Sequence, residues 1–166
     1  MNLNLRLNKD EEIICRKLEE IRSEQLPLVP DLYISGGWVR DKVMGFESKD
    51  LDMCVADKAV LTLVVRIPEY FHAGLIKKQG YNVHFQCNRG SFKIEQAPIE
   101  GYDVHMIDLR DTDNDNIKLD IRKLKNNTVE DDLYTRDFTI NSLYFSVKTG
   151  EVVDNCKVSS IGIRGY

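Results

Sequence analysis

The sequence predicts an α+β fold, a small mixed sheet with helices on one face. Three observations predict it: a helical apolar stripe near the N-terminus, several short strands that follow one another closely, and helical segments between them. With 166 residues, 42% apolar and 30% charged, the chain fits a single globular domain with a core of its own.

The first half of the chain alternates helices and strands. Residues 9–22 place four apolar side chains on one helical stripe, and residues 25–31, with two prolines, form a connector. A short buried strand at 32–34 leads into a pair of glycines. A brief helix over 38–44 follows and ends at Gly45, a common residue at a helix stop.

The central part is read as one strand, one helix and three more strands. Residues 50–55 form the strand, and 58–78 are mainly helical with an interruption near Pro68. The segment 81–86 alternates between apolar and polar residues, as a half-buried strand does. The other two strands are predicted at 91–94 and 102–109.

The last third begins with a polar stretch. Residues 111–127, rich in Asp, Asn and Lys, are predicted to form a loop. Thr128 and Asp131 have the spacing of a helix-capping pair, so a helical region is expected to run through 134–144. A final short strand is expected at 151–153.

Composition limits the classes of function. The net charge of −4 carries no basic surplus, so any contact with nucleic acid must be local. No apolar run is long enough to cross a bilayer, which predicts no membrane partner. The four cysteines are scattered without a CxxC pair and no signal or transit peptide is evident, so we expect an intracellular, cytoplasmic location, with mitochondrion and nucleus left open.

Gly36 and Gly37 stand between a predicted strand and a predicted helix. Two glycines there let the backbone approach a ligand closely, and free N–H groups at the helix start attract phosphate. The alternative is a tight turn with no ligand.

Asp50 and Asp52 are separated by one residue in a predicted strand, so both carboxylates project from the same face. Two carboxylates so near to each other favour a cation between them. Mg²⁺ commonly binds through one or two carboxylates plus substrate phosphates. The alternative is an ordinary exposed strand, because a lone DxD is common by chance.

Two blocks of sequence together carry a family resemblance. The first reads GGWVRD at 36–41, then Gly45, then SKDLD at 48–52; the second has Asp131-Asp132 followed by RDFTINSL at 136–143. In this order the two blocks resemble the class II tRNA nucleotidyltransferases, the CCA-adding enzymes. The sequence of the first block is most similar to the eukaryotic branch of that family. The resemblance extends from Leu32 to Val153.

The resemblance implies a catalytic head with the polymerase-β-type nucleotidyltransferase fold. Such a head would transfer CMP or AMP from CTP or ATP to the 3′-hydroxyl of tRNA or another RNA, and release pyrophosphate. Asp50 and Asp52 would bind the metal, Mg²⁺, and act as the catalytic residues. The nucleotide would be bound by Gly36, Gly37, Arg40, Asp41, Arg136, Asp137 and Asn141. As alternatives, Arg40 and Asp41 could simply pair with each other, and Asn141 could be a structural amide.

Two positions depart from the family pattern. The family pattern predicts His105, a poor Mg²⁺ ligand, at the position of the third carboxylate, and Asp103, two residues earlier, could substitute for that acid. Thr135 stands where the family has the first arginine of RRD, and threonine cannot replace a guanidinium fork.

The expected organisation is an N-terminal helix and connector over 1–30 and a head domain over 31–166. The neck, body and tail domains of the family and its EDxxR motif are absent from this sequence, so a partner chain could supply them. Two further hypotheses stay open: a catalytically degenerate subunit with a structural or RNA-associated role in a larger assembly, and a sensor that binds nucleotide without turning it over.

Overall fold

A single mixed sheet organises the chain. The computed structural model describes residues 5–80, 82–87, 90–96, 101–107, 117–136 and 141–154. In these ranges nine strands occur: β1 Tyr33–Ser35, β2 Asp50–Val55, β3 Gly74–Gln79, β4 Asn82–Cys87, β5 Gly90–Gln96, β6 Gly101–Ile107, β7 Ile117–Lys123, β8 Tyr144–Ser146 and β9 Val152–Val153. Their spatial order is β3-β4-β5-β6-β7-β2-β1-β8-β9. The β2–β7 pair is parallel, and the other neighbouring pairs in this order are antiparallel.

Four α-helices and a 3₁₀ turn accompany the sheet. They are α1 Lys9–Gln25, α2 Gly37–Val43, α3 Asp57–Tyr70, the 3₁₀ turn Lys125–Asn127 and α4 Val129–Leu133. None of the helices in the described part of the chain is long and apolar enough to cross a membrane.

The helix α1 begins with a capping box. The Asn8 side chain accepts a hydrogen bond from the Glu11 backbone N–H, and the Glu11 carboxylate accepts one from the Asn8 N–H. Ile14, Leu18 and Ile21 on its apolar stripe are buried. The helix predicted at 9–22 is confirmed and extends three residues further.

The main core lies on one face of the sheet. Helices α1, α2 and α3 contribute to it, and β2 and β7 supply Leu51, Met53, Leu119 and Ile121, all fully buried. A smaller cluster of Cys54, Leu124, Val129 and Tyr144 lies on the opposite face of β2, beneath α4. The predicted α+β fold with a mixed sheet is confirmed, with α1, α2 and α3 packed on one face and the short α4 over the other.

Two strands occupy segments where helix was predicted. The helix α3 ends at Tyr70, and His72 has φ +55°, which a continuing helix cannot adopt, so β3 replaces the predicted helix at 74–78. Likewise α4 ends at Leu133, and Tyr144 begins strand β8 beside β1 instead of ending a helix. In both places pairing with a neighbouring strand overrides local helix propensity.

A third correction concerns the predicted loop at 111–127. Residues 117–123 form β7, which lies between β6 and β2. Ile117, Leu119 and Ile121 are buried in the core, while Lys118, Asp120 and Arg122 are half-buried on the other face. Residues 111–116 lie outside the described residues.

Candidate active site

Gly36 lies directly against Asp52. Its φ is +72°, and a Cβ at this position would lie 2.8 Å from Asp52 Oδ2. Both the backbone conformation and the close approach therefore require glycine here. Gly37, the first residue of α2, is less restricted: its Cβ would meet only the end of the Arg40 side chain, 3.4 Å away at Nη2.

The strand β2 alternates as expected. Leu51 and Met53 are fully buried in the core, Asp50 is exposed, and Asp52 is half-buried on the opposite face. The prediction that both carboxylates leave the strand on the face away from the core is confirmed as geometry.

A third carboxylate lies beside Asp52, on β7. The parallel register pairs Asp52 with Asp120 and Asp50 with Lys118, so these four side chains share one face of the sheet. Sequence reasoning missed Asp120, because residues 111–127 were read as a loop. The apolar–polar alternation from Ile117 to Arg122 was the signal that could have identified this strand.

His105 does not occupy the third carboxylate position. It lies on β6, which is separated from β2 by β7, and its register partner is Lys118. Its Nε2 is 3.5 Å from Glu95 Oε2. The prediction that His105 replaces the acid is therefore wrong, because the strand adjacent to β2 is β7.

Asp103 also lies on the polar face, in register with Asp120. Arg122 Nη2 is 3.1 Å from its Oδ1, and Lys118 Nζ is 3.9 Å from its Oδ2. Burial opposes ionisation of Asp103, but hydrogen bonds with Asp120 and Arg122 and the charge of Lys118 lower its pKa overall. Asp103 is thus one strand further from Asp52 than Asp120 is, and is held by cations.

The electrostatics of the carboxylate pair favour a cation. Burial, together with the charge of Asp120 and a hydrogen bond with it, raises the pKa of Asp52 to about 6, although Arg136 opposes the rise. Asp120 Oδ1 is buried and accepts no hydrogen bond; Lys118 Nζ, 3.1 Å away, approaches it without hydrogen-bond geometry.

These oxygens fit the donor set of a hard divalent ion. Among the described residues no group of three or more His, Cys, Asp or Glu side chains is arranged to hold a metal ion. Asp52 and Asp120 form a pair of carboxylates in register.

Arg136 is fixed next to the pair. Its Nη2 donates to Asp132 Oδ2 at 2.9 Å, to Ser35 Oγ at 3.1 Å and to Cys54 Sγ at 3.0 Å. Its guanidinium also lies over the Tyr144 ring, 5.7 Å from the ring centre. Its Nε is buried and has no hydrogen-bond partner in the described part of the chain.

Asp132 explains why Arg136 is held so firmly. Besides Arg136, this buried carboxylate accepts from the Tyr144 hydroxyl at 2.8 Å and from the Lys125 backbone N–H at 3.1 Å. Sequence analysis gave Asp132 only as part of a block, because the role of a supporting carboxylate depends on tertiary contacts.

Arg40, Asp41 and Asn141 come together beside the start of α2. Arg40 Nε donates to Asp41 Oδ1 at 2.9 Å, so the alternative of mutual pairing occurs in the structure. Arg40 Nη1 also reaches Asn141 Oδ1 at 3.4 Å, across 101 positions of sequence. Asp137, predicted to bind nucleotide, lies outside the described residues.

A cleft of about 790 Å³ opens from Asp52 and Asp120. It runs along the ends of β2 and β7 towards the 3₁₀ turn, with Cys54, Asp57, Arg122, Lys123 and Lys125 on its walls and Arg136 at its side. Its lining mixes four carboxylates with four basic groups: Asp52, Asp57, Asp120 and Asp132 with Arg122, Lys123, Lys125 and Arg136. Carboxylates suit a cation and basic groups suit phosphate.

Thr135 departs from the family pattern in structure as well. Its Oγ1 donates to the Asp132 carbonyl at 2.6 Å and closes the end of α4. The hydroxyl is therefore used within the chain, and no guanidinium replaces the one expected at this position.

Comparison with known proteins agrees with the geometry. Residues 32–161 match the sequence model of the poly A polymerase head domain. The chain is 31% identical over 143 residues to the tRNA nucleotidyltransferase cca2 of Schizosaccharomyces pombe, covering 82% of this chain and 28% of that protein. It is 30% identical over 163 residues to the mitochondrial CCA tRNA nucleotidyltransferase of Saccharomyces cerevisiae, covering 91% of this chain and 30% of that protein.

The fold matches a solved structure, a CCA-adding enzyme in complex with CTP. The TM-score is 0.57 with 21% identity, over 90% of this chain and 30% of that chain. The chain thus spans less than a third of the length of these relatives. The resemblance predicted from its two sequence blocks is confirmed, and the chain belongs to the poly A polymerase head domain family, in which it is similar to CCA tRNA nucleotidyltransferases.

Proposed function

We propose that the chain is the catalytic head of a nucleotidyltransferase that moves CMP or AMP from CTP or ATP to the 3′-hydroxyl of tRNA and releases pyrophosphate. One observation carries the proposal: Asp52 and Asp120 stand in register on adjacent parallel strands, with Gly36 packed against Asp52. Such a carboxylate pair, with a close glycine and a charged cleft, has no evident use in packing.

The family is metal-dependent, and Mg²⁺ is the ion we propose for this site. Asp52 and Asp120 would hold it, with Asp50 as an additional ligand, because Mg²⁺ prefers hard oxygen donors and retains open positions for phosphates. When bound, Mg²⁺ supplies activation of the attacking hydroxyl and neutralisation of triphosphate charge.

The residues of the chain position two substrates on either side of the carboxylates. Because β1 runs antiparallel to β2 with Ser35 opposite Asp52, Gly36 and Gly37 lie towards the N-terminal end of β2. There we place the triphosphate, with Arg40 and Asn141 nearby. The cleft lies towards the other end of β2, and its basic residues Arg122, Lys123 and Lys125 would contact phosphates of the RNA 3′ end.

Arg136 connects these two regions. Fixed by Asp132 and Ser35, its guanidinium lies close enough for its charge to lower the pKa of Asp52, and it would stabilise negative charge that develops on the transferred phosphate. From the sequence resemblance, we also propose Asp137 as a nucleotide-binding residue.

Selection of C or A and the binding of tRNA would come from domains outside these 166 residues or from a partner chain. We also propose a cytoplasmic location. One relative, the enzyme of Saccharomyces cerevisiae, is named as mitochondrial.

The second candidate function is a degenerate head with a structural role. Thr135 favours it, because a phosphate-binding arginine is missing there. The position of Asp120 disfavours it, because the acid that His105 was expected to replace is present on β7. The two functions differ in whether Asp120 is needed for chemistry.

The test compares two aspartates on neighbouring strands. The chain, alone and with a fragment of a relative containing the neck, body and tail, is incubated with Mg²⁺, labelled CTP or ATP and tRNA lacking CCA. Asp120→Asn should reduce incorporation at least 10³-fold, because an amide cannot replace a charged ligand. Asp103→Asn, its register neighbour, should retain most of the activity.

The opposite pattern, with Asp103 essential and Asp120 dispensable, would place the third carboxylate on β6 and overturn the assignment. No incorporation by the wild-type chain in either format, with no Mg²⁺-dependent binding of CTP or ATP, would establish the structural role instead. Binding without incorporation in both formats would identify a nucleotide sensor.

A further inference from the structure

The carboxylate of Glu11 is almost fully buried and accepts from three partners. It belongs to α1, is 2% exposed, and serves first as the capping-box residue that accepts from the Asn8 N–H at 2.8 Å. Its Oε1 accepts from Trp38 Nε1 at 3.0 Å, and its Oε2 lies 2.7 Å from Lys42 Nζ. Two of its three partners therefore belong to α2 and not to α1.

Lys42 completes a closed polar cluster between α1 and α2. Its side chain is 4% exposed, and its ammonium contacts Glu11 and, at 2.8 Å, Glu47 Oε2. The same ammonium lies 5.9 Å from the centre of the Trp38 ring. Burial lowers the pKa of Lys42, but its hydrogen bonds to Glu11 and Glu47 outweigh burial and raise it, so the ammonium stays charged.

This cluster sits directly behind the glycine pair. Trp38 follows Gly37, and α2 is only seven residues long, so its orientation depends on what holds its buried side. On its other side, Gly36 approaches Asp52 Oδ2 with no space for even one additional carbon. A rotation or shift of α2 would therefore change the contact between the glycines and Asp52.

Glu47 extends the same connection to the start of β2. It lies in the segment between α2 and β2, contacts Lys42, and accepts from Asn8 Nδ2 at 3.4 Å. The N-terminus of α1 thus touches both segments that flank the site, the helix after the glycines and the loop before Asp50. None of these α1 residues lies within the matched family segment of 32–161.

We propose that Glu11 is a positioning residue: through Lys42 and Trp38, α1 fixes the orientation of α2 and thereby the placement of Gly36 and Gly37 against Asp52. The consequence of this proposal for nucleotide affinity rests on the proposed function. Its consequence for the placement of the glycines does not. A salt bridge is used here instead of an apolar contact because its directional bonds select one orientation of a very short helix.

The test uses Glu11→Gln, which keeps the shape of the side chain but removes its charge. The matched control is Glu12→Gln, one residue along and exposed. A second control, Leu63→Ala in α3, lowers stability through the core from a helix other than α1 and α2. All variants are measured in the full chain at a temperature where each is folded.

Two readouts separate positioning from stability alone. In the ligand-free protein, the backbone amide resonances of Gly36 and Gly37 and the fluorescence of Trp38, the only tryptophan, should change in Glu11→Gln and stay unchanged in both controls. Affinity for Mg²⁺ with CTP should fall about 10-fold in Glu11→Gln, the effect typical of outer-shell partners, and should be retained in Leu63→Ala.

A Glu11→Gln variant that melts earlier but keeps the glycine resonances would overturn the proposal, since Glu11 would then be purely structural. If Glu11→Gln does not fold, Glu11→Gln/Lys42→Met leaves no buried charge unpaired and makes the same measurement, again with displaced glycine resonances expected. If the wild-type chain binds no CTP, the proposed function fails, while the ligand-free resonances still decide the positioning role.

Discussion

The strands β2 and β7 present two opposite faces built from alternate residues of the same two segments. On one face Leu51, Met53, Leu119 and Ile121 are fully buried against the helices. On the other, Asp52 and Asp120 stand side by side with a buried oxygen that accepts no hydrogen bond. The apolar face stabilises the register, and that register places two like charges together at a cost in stability. The core therefore stabilises a site that would not assemble by itself.

The apolar face should dominate stability. Leu119→Ala removes a fully buried side chain from the centre of the core and should lower the free energy of unfolding by about 3 kcal/mol. Urea unfolding followed by circular dichroism measures it. Leu61→Ala, at a position 62% exposed on α3, is the control and should change stability by less than about 0.5 kcal/mol. Equal losses in the two variants would contradict the assigned core.

Asp132, on α4 above the polar face, should also contribute to stability. Asp132→Asn weakens its bonds to Arg136, Tyr144 and the Lys125 amide and should cost about 2 kcal/mol, less than a fully buried ion pair because Arg136 is partly exposed. The control is Asp131→Asn, whose partner Asn126 is exposed. A thermal melt that shows no difference between the two variants would sink the idea that Asp132 anchors Arg136.

Asp52 should destabilise the metal-free protein. Its folded pKa of about 6 lies above the ordinary value, so the folded state binds the proton more tightly and stability falls as pH rises from about 4 to about 6. Asp52→Asn should therefore gain about 1 kcal/mol at pH 7 after allowance for solvent screening, and nothing at pH 4.

Melts of the wild type and Asp52→Asn across this pH range, in EDTA, make the comparison. Adding Mg²⁺ should stabilise the wild type and leave Asp52→Asn unchanged. Identical pH profiles of stability for the wild type and Asp52→Asn between pH 4 and 6 would mean that the pKa of Asp52 is not raised in the folded protein.

At Gly36 the expected change in stability is no larger than at Asp52. Gly36→Ala places a Cβ at φ +72° and 2.8 Å from Asp52 Oδ2, which should cost about 1 kcal/mol and displace the carboxylate, with loss of Mg²⁺ binding. Gly37→Ala meets only the movable end of Arg40 and should retain Mg²⁺ binding. Isothermal titration with Mg²⁺ distinguishes them, and equal binding by both would remove the special role of Gly36.

Local patterns were sufficient for the segments that carry strong signals. The helix α1, the glycine pair before α2 and the paired aspartates of β2 were all predicted, because each depends on residues within one turn or one strand. The strand β7 was not, because Asp, Asn and Lys around it resemble a loop and its partner β2 lies far away in sequence. Local patterns cannot indicate which distant strand lies beside another.

The same limit explains the error at His105 and the omission of Glu11. The local sequence around His105 predicts that it takes the third carboxylate position. Its actual position depends on the order of strands in the sheet, which the local sequence does not contain. Glu11 reads in sequence as an ordinary capping residue, and only the packing of α1 on α2 shows its contacts with Trp38 and Lys42.

The parallel pairing of β2 with β7 has a consequence for how the chain reaches its native state. Along the chain, α3 and the four consecutive strands β3 to β6 lie between β2 and β7. These four strands extend the sheet beyond β7, on the side away from β2. Contacts across so long a stretch carry a large loop-closure entropy and form slowly. The helix and hairpins between them can form first from local contacts. We therefore expect the carboxylate pair to be among the last features to assemble, so that any affinity for metal arises only in molecules whose folding is complete.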